Sequence, residues 1–570
     1  MMRAAGGLGP PAVLLAVTAA LYAGVITHPF EYDDFHSLVE NGAVHGFGRF
    51  AALWTSPTAV SAEGSPGYRP VLLSVWALQH TLFGLNPAGY HVVNLLMHLG
   101  VVVLTWRLAA LAYGSRAAAL VAAALVALHP LHVEAVNYIA AQSSLLVTLC
   151  MVAALVLTTE GAARRGTGRS VCYAGSVLAA GLALGVKEIA VVFPVLFWLW
   201  ERLRASRGAG PATPRIWVFA FWGLALGFVA LRQVILTGET LWLASPPPPV
   251  VVAATTMKMI TWSLWAWLWP FTASVDHGDL VVSASQAWIW VLGGGLTLVS
   301  ALVWARRGIP APFTALAWTA ASILPVGAVV LVTRVALFQE HRAYTAGVGL
   351  ALVSAPFVAG ALRAPGLRRR RWTAALAGIL VLTAAAAIVA RTHVWADRVA
   401  LWSDALAKYP ESAHARSGLV AAYLAAGRVD LAEASLRESA SRAPDDPQTV
   451  YALADLLMKT GRWAEGQALN ERIVEARIGR AGMAFLRGDM LASRGNWDAA
   501  RRAYLDAEGL GGRGPELDAR LGAVAERMGN RAEALTFYRR AATEMATTDD
   551  EAAWRERARA ALARLAETGS

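Results

Sequence analysis

From residue 11 to about residue 390 the chain alternates apolar runs of bilayer-crossing length with short polar connections. This pattern leaves few folds open. Backbone placed in hydrocarbon must satisfy its own hydrogen bonds, which only helices and closed barrels achieve. Runs near the roughly 20 residues that a spanning helix needs favour helices. They lie near 11–27, 91–111, 117–130, 143–159, 170–200 (long enough for two), 215–237, 286–304, 312–333, 344–362 and 373–390, with two further candidates at 71–84 and 250–270. Only Arg3 precedes the first run, and no convincing small-residue cleavage site follows it, so it reads as a retained anchor.

Charge sets the topology. Arg107 and Arg116; Arg164, Arg165 and Arg169; Arg202, Arg204, Arg207 and Arg215; Arg306 and Arg307; and Arg363 with Arg368 to Arg371 form five basic clusters. All five face the cytoplasm if eleven helices span and 71–84 and 250–270 lie as interfacial or re-entrant helices on the outer side. That map starts with a cytoplasmic N-terminus and places eleven of the thirteen acids of residues 1–390 outward or near the outer surface, leaving Glu160 and Glu201 inside. It also sends residues 391–570 outside. The formal charge of +11 falls wholly within residues 1–390, which hold 24 basic and 13 acidic residues, against 26 of each in the remainder. Basic charge placed between apolar runs reports membrane orientation, and no nucleic-acid partner is expected. Cys150 and Cys172 both sit in apolar segments and define no disulfide framework.

The remainder is a repeat array. Gly427, Gly461, Gly495 and Gly529 are spaced 34 residues apart, and Pro410 and Pro444 keep the same step. This is the tetratricopeptide (TPR) period of two helices per repeat, with glycine in the turn and small Ala432, Ala500 and Ala534 where helices touch. Gly466 replaces the alanine in the second repeat. Such solenoids bind partners along a concave face. The expected fold is therefore all-α: a polytopic membrane domain over 1–390, with a first outer loop at 28–90, then TPR repeats over 391–570.

Four polar constellations interrupt the apolar half, all outward on this map. They are Asp33 and Asp34 in EYDDFHSLVENGAVHGF; Arg69 in SPGYRP; His129, His132 and Glu134 in HPLHVEAVNY; and Arg334, Glu340, His341, Arg342 and Tyr344 in RVALFQEHRAY. Lys187 and Glu188 are candidates to join them. Ionisable groups near hydrocarbon are costly, so they pair, line a cavity or work. A carboxylate can take the proton of an acceptor hydroxyl as it attacks a sugar carbon. Arginines can hold a departing phosphate, since guanidinium offers paired donors to its oxygens. Plainer readings stand beside these: Asp33 and Asp34 as a solvated helix cap, His129 as a helix end before Pro130, Glu340 paired with Arg342, and Trp395 and Trp402 as packing at the start of the solenoid. His129, His132 and Glu134 form a His-x-x-His-x-Glu pattern, too common to define a metal site alone. Arg69, isolated in an uncharged neighbourhood, requires an anionic partner. No P-loop, strand-borne GxGxxG, GxSxG or HExxH is present.

With these residues in place, the chain resembles the transmembrane-and-TPR (TMTC-type) O-mannosyltransferases and their bacterial relatives, within the GT-C class of polyprenyl-phosphate-dependent glycosyltransferases. YDDFHSLVENGAV resembles the family's first outer loop, YRPVLLSVWALQHTLFGLNPAGYHVVNLLMHLG its YRP…FG-NP-YH segment, HPLHVEAVNYIAAQSSLL its HP-H-EAV signature, and QEHRAYTAGVGL its ER-Y-P-x-G segment. His341 stands between Glu340 and Arg342 where the family has adjacent Glu-Arg, and Thr345-Ala346 replace a proline-containing step. KEIA at 187–190 keeps the family's Lys-Glu start but departs after it.

The resemblance implies inverting transfer from a polyprenyl-phosphate sugar to a hydroxyl, on the extracytoplasmic face of a bacterial inner membrane. Asp33 or Asp34 is then the catalytic carboxylate, and Arg69 contacts the donor phosphate. His132, Glu134, Lys187, Arg334, Glu340, Arg342 and Tyr344 are the remaining expected substrate-binding residues. The expected partners are the lipid-linked donor, the bilayer and a protein or peptide acceptor held by the TPR face. No cofactor is required, and the residues do not indicate a divalent metal. The competing expectation is a non-catalytic TPR scaffold for envelope protein assembly. A transporter would instead show midplane charges and an internal duplication.

Overall fold

Where proline enters an apolar run, the helix has to break. A residue preceding proline is pushed out of the helical region, and His129 is extended (φ −85°, ψ 122°) ahead of Pro130. The helix Arg116–Leu128 stops there, and the segment Pro130–Asn137 continues at 52° to it. Arg69 is likewise non-helical (φ −139°, ψ 55°) before Pro70, which opens the helix Pro70–Phe83. These two breaks carry two of the four polar constellations.

The protein is described by a computed structural model covering residues 9–63, 66–237, 246–278, 281–308, 310–327, 338–363, 365–442, 444, 446–543 and 549–567. Among these residues every regular element is helical. Each of the eleven expected spanning runs carries helix over most of its described residues. Eight satisfy length and composition for crossing a membrane by themselves: Gly9–Thr27, Pro87–Tyr113, Gln142–Ala163, Gly166–Val186, Arg215–Ile235, Ala287–Arg306, Glu340–Leu362 and Leu367–Trp395. This is an integral membrane protein. The others are the bent pair at Pro130, the 17-residue Ala311–Gly327, and Phe193–Ala205, which is 13 residues long. Of the two runs expected not to span, Pro70–Phe83 has only 14 residues, about 21 Å at 1.5 Å per residue. Pro249–Leu268 has 20 residues.

The core of this half gathers the helices Pro87–Tyr113, Arg116–Leu128, Gln142–Ala163, Phe193–Ala205 and Tyr344–Leu362 around Val101, Val147, Leu155, Phe197, Trp200 and Val348. Glycine permits the closest approaches. A Cβ on Gly349 would meet the Trp318 ring at 2.1 Å, and one on Gly347 would meet His132 Nε2 at 2.3 Å.

The chain divides into two compact units, Met1–Ala422 and Tyr423–Ser570. The domain boundary was expected at 390/391. Instead Leu367–Trp395 runs past it, and the next helices, Arg398–Lys408 and most of Ala413–Ala425, belong to the first unit. Polar ties explain this. Arg391 Nη1 donates to Asp404 at 2.5 Å, Arg398 Nε to Glu31 at 2.8 Å, and Lys408 Nζ to the Ala273 carbonyl at 2.5 Å. Trp395 and Trp402 are buried as packing groups: Trp395 stacks on Tyr138, and Trp402 lies against Gly418.

In the second unit the glycine period is a turn period. Gly427, Gly461, Gly495 and Gly529 have φ of 69°, 86°, 74° and 78°, the left-handed region that glycine enters without steric cost. Ala432, Ala500 and Ala534 are fully buried. One repeat departs from helix–turn–helix, because Trp463–Ser493 is a single helix of 31 residues. The proline period of Pro410 and Pro444 lapses there, since the next position is Ile478. Gly466 stands where alanine recurs because its Cβ would meet the Ala454 carbonyl oxygen at 2.6 Å and Met458 Cγ at 2.7 Å. Gly466→Ala is expected to destabilise the protein by about 1–3 kcal/mol through overpacking. A lowered midpoint in thermal unfolding of the full chain checks this, and an unchanged or raised midpoint contradicts it.

Candidate active site

The first outer loop turns through Tyr32, which has φ 50° and is the one non-glycine residue with positive φ among those described. For a residue with a Cβ this conformation costs of the order of 1–2 kcal/mol, so the surroundings must hold it. The Tyr32 hydroxyl lies 3.1 Å from His414 Nε2, and His414 Nδ1 lies 2.9 Å from Asp276 Oδ2. Ser412 Oγ donates to the same carboxylate oxygen at 2.7 Å. Burial opposes ionisation of Asp276, yet His414 and Ser412 hold its carboxyl below the usual carboxylate range. The Tyr32 ring also meets Trp402 and His414 edge-on, at 5.5 Å each.

The paired aspartates that follow do different things. Asp34 is 1% exposed. Its Oδ2 accepts from the Glu31 amide at 2.9 Å and its Oδ1 from the Ala140 amide at 2.7 Å. Burial raises its carboxyl well above the usual range. Asp34 is therefore a clasp between the first outer loop and the segment after Asn137. Asp33 keeps 37% of its side chain exposed and sits 3.3 Å from His36 Nε2. That bond raises the His36 imidazole. The Asp33 amide donates to the Tyr138 hydroxyl at 3.0 Å, which fixes the backbone below the exposed carboxylate.

Arg69 is not isolated, as its sequence neighbourhood suggested. Its Nη2 donates to both Glu188 oxygens, at 2.9 and 3.2 Å. A guanidinium near hydrocarbon demands a counter-charge, and Glu188 supplies it. Burial opposes ionisation of Glu188, but Arg69 brings its carboxyl down to about 2. The Arg69 Nε is buried without a protein partner. Beside it Lys187 breaks the helix Gly166–Val186 in an extended conformation (φ −157°, ψ 141°), and its Nζ donates to Ser144 Oγ at 2.8 Å. Burial, reinforced by the charges of Arg69 and Arg342, brings the Lys187 ammonium down to about 7. Arg342 in turn lies within electrostatic range of Tyr32, Asp33, Glu134 and Arg69. Three cations and one exposed carboxylate thus converge from four separate segments.

The other expected residues hold this cluster up. Glu134, on the segment after the bend, is fully enclosed. It accepts from the Glu340 amide at 2.8 Å and lies 2.6 Å from His341 Nδ1. Glu340 does not pair with Arg342. Its Oε1 meets His277 Nε2 at 2.7 Å and the Ser274 amide at 2.8 Å, while His277 Nδ1 lies 2.9 Å from the Tyr409 hydroxyl. His129 caps the short turn after it through Leu131 N, and its Nε2 is 2.9 Å from the Trp267 carbonyl. His132 is buried against Val126 O and Gly347. Tyr344, also buried, bonds His98 Nδ1 at 2.6 Å inside the bundle. His132 and Tyr344 are thus committed to packing inside the bundle. Arg334 lies outside the described residues. Among the described residues no group of three His, Cys, Asp or Glu is arranged to hold a metal; His129, His132 and Glu134 each bond elsewhere.

Tyr32, Tyr138, Asp276, His277, Arg398 and His414 were missed as contributors. The available signal was again charge in an apolar half: VDHGD at 275–279 places acids beside a histidine between two apolar runs.

A family model described as tetratricopeptide repeat matches residues 399–450. Over 194 residues the chain is 30% identical to Protein O-mannosyl-transferase Tmtc1 of Drosophila melanogaster, a match covering 33% of this chain and 22% of that one. It is 28% identical over 170 residues to Protein O-mannosyl-transferase TMTC3 of Mus musculus, covering 29% and 18%. It is 28% identical over 207 residues to Protein O-mannosyl-transferase TMTC2 of Homo sapiens, covering 34% and 24%. The matched part thus spans about a fifth of the length of these curated relatives. Among solved structures, the oligosaccharyltransferase AglB from Archaeoglobus fulgidus, in complex with an inhibitory peptide and a dolichol-phosphate, aligns at 12% identity and TM-score 0.39, covering 72% of this chain and 59% of that one. ArnT from Cupriavidus metallidurans, bound to undecaprenyl phosphate, aligns at 15% identity and TM-score 0.37, covering 86% and 81%. The class is an all-helical integral membrane protein carrying tetratricopeptide repeats. Within it, the chain is TMTC-like in sequence.

The different bonding of the two aspartates gives a test. Asp34→Ala leaves two buried amides without acceptors, at a cost of about 1–3 kcal/mol for each such group. Its thermal midpoint should fall clearly, whereas Asp33→Ala should stay close to the parent protein. Equal losses would contradict the division of labour.

Proposed function

We propose that the protein is a membrane glycosyltransferase that moves a sugar from a polyprenyl-phosphate donor to a hydroxyl acceptor, with inversion, on the extracytoplasmic face. The observation that carries this reading is the exposed Asp33 carboxylate set within electrostatic range of Arg342, which in turn neighbours Arg69 and Lys187. In the proposed step the acceptor oxygen attacks the anomeric carbon from the face opposite the phosphate. Asp33 takes the hydroxyl proton, and the bond from the anomeric carbon to the phosphate oxygen breaks with its electron pair leaving on the phosphate. Arg69 Nε, Lys187 and Arg342 balance the charge that develops there, which is the electrostatic role that contributes most to such reactions. The leaving group is a lipid monophosphate, so side-chain cations suffice and no cofactor is required. The helical repeats supply recognition of a protein or peptide acceptor, and similarity to proteins named O-mannosyl-transferases favours mannose as the sugar.

Two outcomes test the reading. Purified protein offered a panel of polyprenyl-phospho-sugars should transfer or hydrolyse at least one of them. Asp33→Asn should lower the rate by roughly 100-fold or more, as loss of a general base does, while donor still binds. Undiminished transfer would remove Asp33 from the chemistry, and a panel-wide absence of turnover would favour the scaffold. The second outcome concerns pH. Lys187 loses its proton as pH rises through about 7, so donor affinity of the free enzyme should weaken over that interval. Lys187→Arg, always charged, should flatten the dependence. A donor-binding profile identical in the two proteins contradicts a phosphate contact by Lys187.

A further inference from the structure

At the other ends of the helices that carry the candidate site there is a second concentration of positive charge. A cavity of about 300 Å3 opens where Pro87–Tyr113 ends, Arg116–Leu128 begins and Tyr344–Leu362 ends. Tyr113, Ser115, Arg207, Pro356, Gly360 and Arg363 line it. The Arg207 guanidinium lies 5.0 Å from the centroid of the Tyr113 ring, and the Tyr113 hydroxyl is tied to the Leu352 carbonyl at 2.5 Å. Arg363 Nη1 reaches Ser115 Oγ at 3.5 Å. That oxygen already caps the helix by accepting from Ala118 N at 3.3 Å.

The charge balance at this end is incomplete. Glu160 and Glu201 are the two acids that the sequence assigns to this side, and both are committed. Glu160 pairs with Arg107 and Arg164, and Glu201 with Arg204. Among the described residues no carboxylate pairs with Arg207 or Arg363. Two guanidiniums therefore face one cavity, beside a helix N-terminus whose amide dipoles also favour an anion. Ala112, Ala118, Pro356 and Ala359 complete the lining, so the two guanidiniums open onto apolar surface. A cavity between membrane helices that joins cations to apolar lining suits an amphiphile better than a free ion. Basic pockets between transmembrane helices bind lipid headgroups in this manner.

We propose that this cavity is a binding site for the phosphate headgroup of an anionic membrane phospholipid, separate from the candidate active site and independent of its chemistry. The guanidiniums of Arg207 and Arg363 hold the phosphate, Tyr113 fixes Arg207 in place, and the acyl chains leave over the apolar part of the lining.

The test uses the full chain, purified in detergent and in nanodiscs. Native mass spectrometry should detect retained phosphatidylglycerol in preference to phosphatidylcholine. Arg207→Gln/Arg363→Gln should lose the retained lipid by roughly tenfold or more, given two headgroup contacts removed. The exposed single variant Arg363→Gln, which leaves the Arg207–Tyr113 contact intact, should lose part of it. If the double variant does not fold, the single variant carries the test alone. Phosphatidylglycerol retained equally by the parent protein and the variants overturns the proposal. Inorganic phosphate at millimolar concentration should give no thermal shift. A shift with inorganic phosphate and none with phosphatidylglycerol also overturns it, by assigning the cavity to a soluble ion.

Discussion

Two amides determine where the first outer loop can lie: those of Glu31 and Ala140, both held by the buried carboxylate of Asp34. One contact closes the loop on itself. The other fastens it to the segment that emerges beyond the proline break. That clasp acts with the Asp33 amide on Tyr138 and with Arg398 on Glu31, and together they hold residue 33 near Tyr138 and within electrostatic range of Arg342, which are far apart along the chain. The remaining polar groups repeat the same solution. Several charged groups forced into a poorly hydrated interface find a partner from a different segment: Glu134 takes His341 and the Glu340 amide, Glu340 takes His277, and Glu188 takes Arg69. The cost of leaving such groups unpaired becomes the force that assembles this end of the bundle.

This pairing also separates residues that work from residues that hold. A carboxylate whose oxygens are filled by backbone donors, such as Asp34, has no lone pair directed at a substrate. Asp33, its neighbour in sequence, keeps an exposed carboxylate whose Oδ1 faces His36. Similarly the Glu188–Arg69 pair neutralises one edge of the guanidinium and leaves the Nε buried and unpartnered.

Much of this was legible in the sequence, for reasons that differ from element to element. The spanning helices follow from run length, and the breaks at His129 and Arg69 follow from the prolines after them. The 34-residue turns follow from glycine, which the left-handed backbone favours. The concentration of acids and bases into a few polar stretches picked out segments that the fold ties together through Glu134, Glu188 and Glu340. Partner choice was not legible. Whether Arg69 meets Glu188 or a ligand, and whether Glu340 meets Arg342 or His277, depends on helix placement that a one-dimensional pattern does not encode. The role of Tyr32 was hidden for the same reason, since its backbone conformation is imposed by His414 and Trp402, nearly 400 residues further on. The compact units divide at Ala422 and not at residue 391, where composition changes, because hydrogen bonds tie the first helices after 391 to the preceding unit.

That last point bears on how the molecule can be dissected. Arg398, Lys408, Ser412 and His414 look like the opening of a detachable solenoid, yet they fasten Glu31, Ala273 and Asp276. Severing the chain where the hydropathy falls would strip these anchors and leave Tyr32 to relax to an ordinary backbone angle, carrying its neighbouring aspartate out of register. A truncation meant to isolate the membrane-embedded half has to retain the chain through Ala422, so the first helices of the solenoid are best regarded as the last helices of the membrane half.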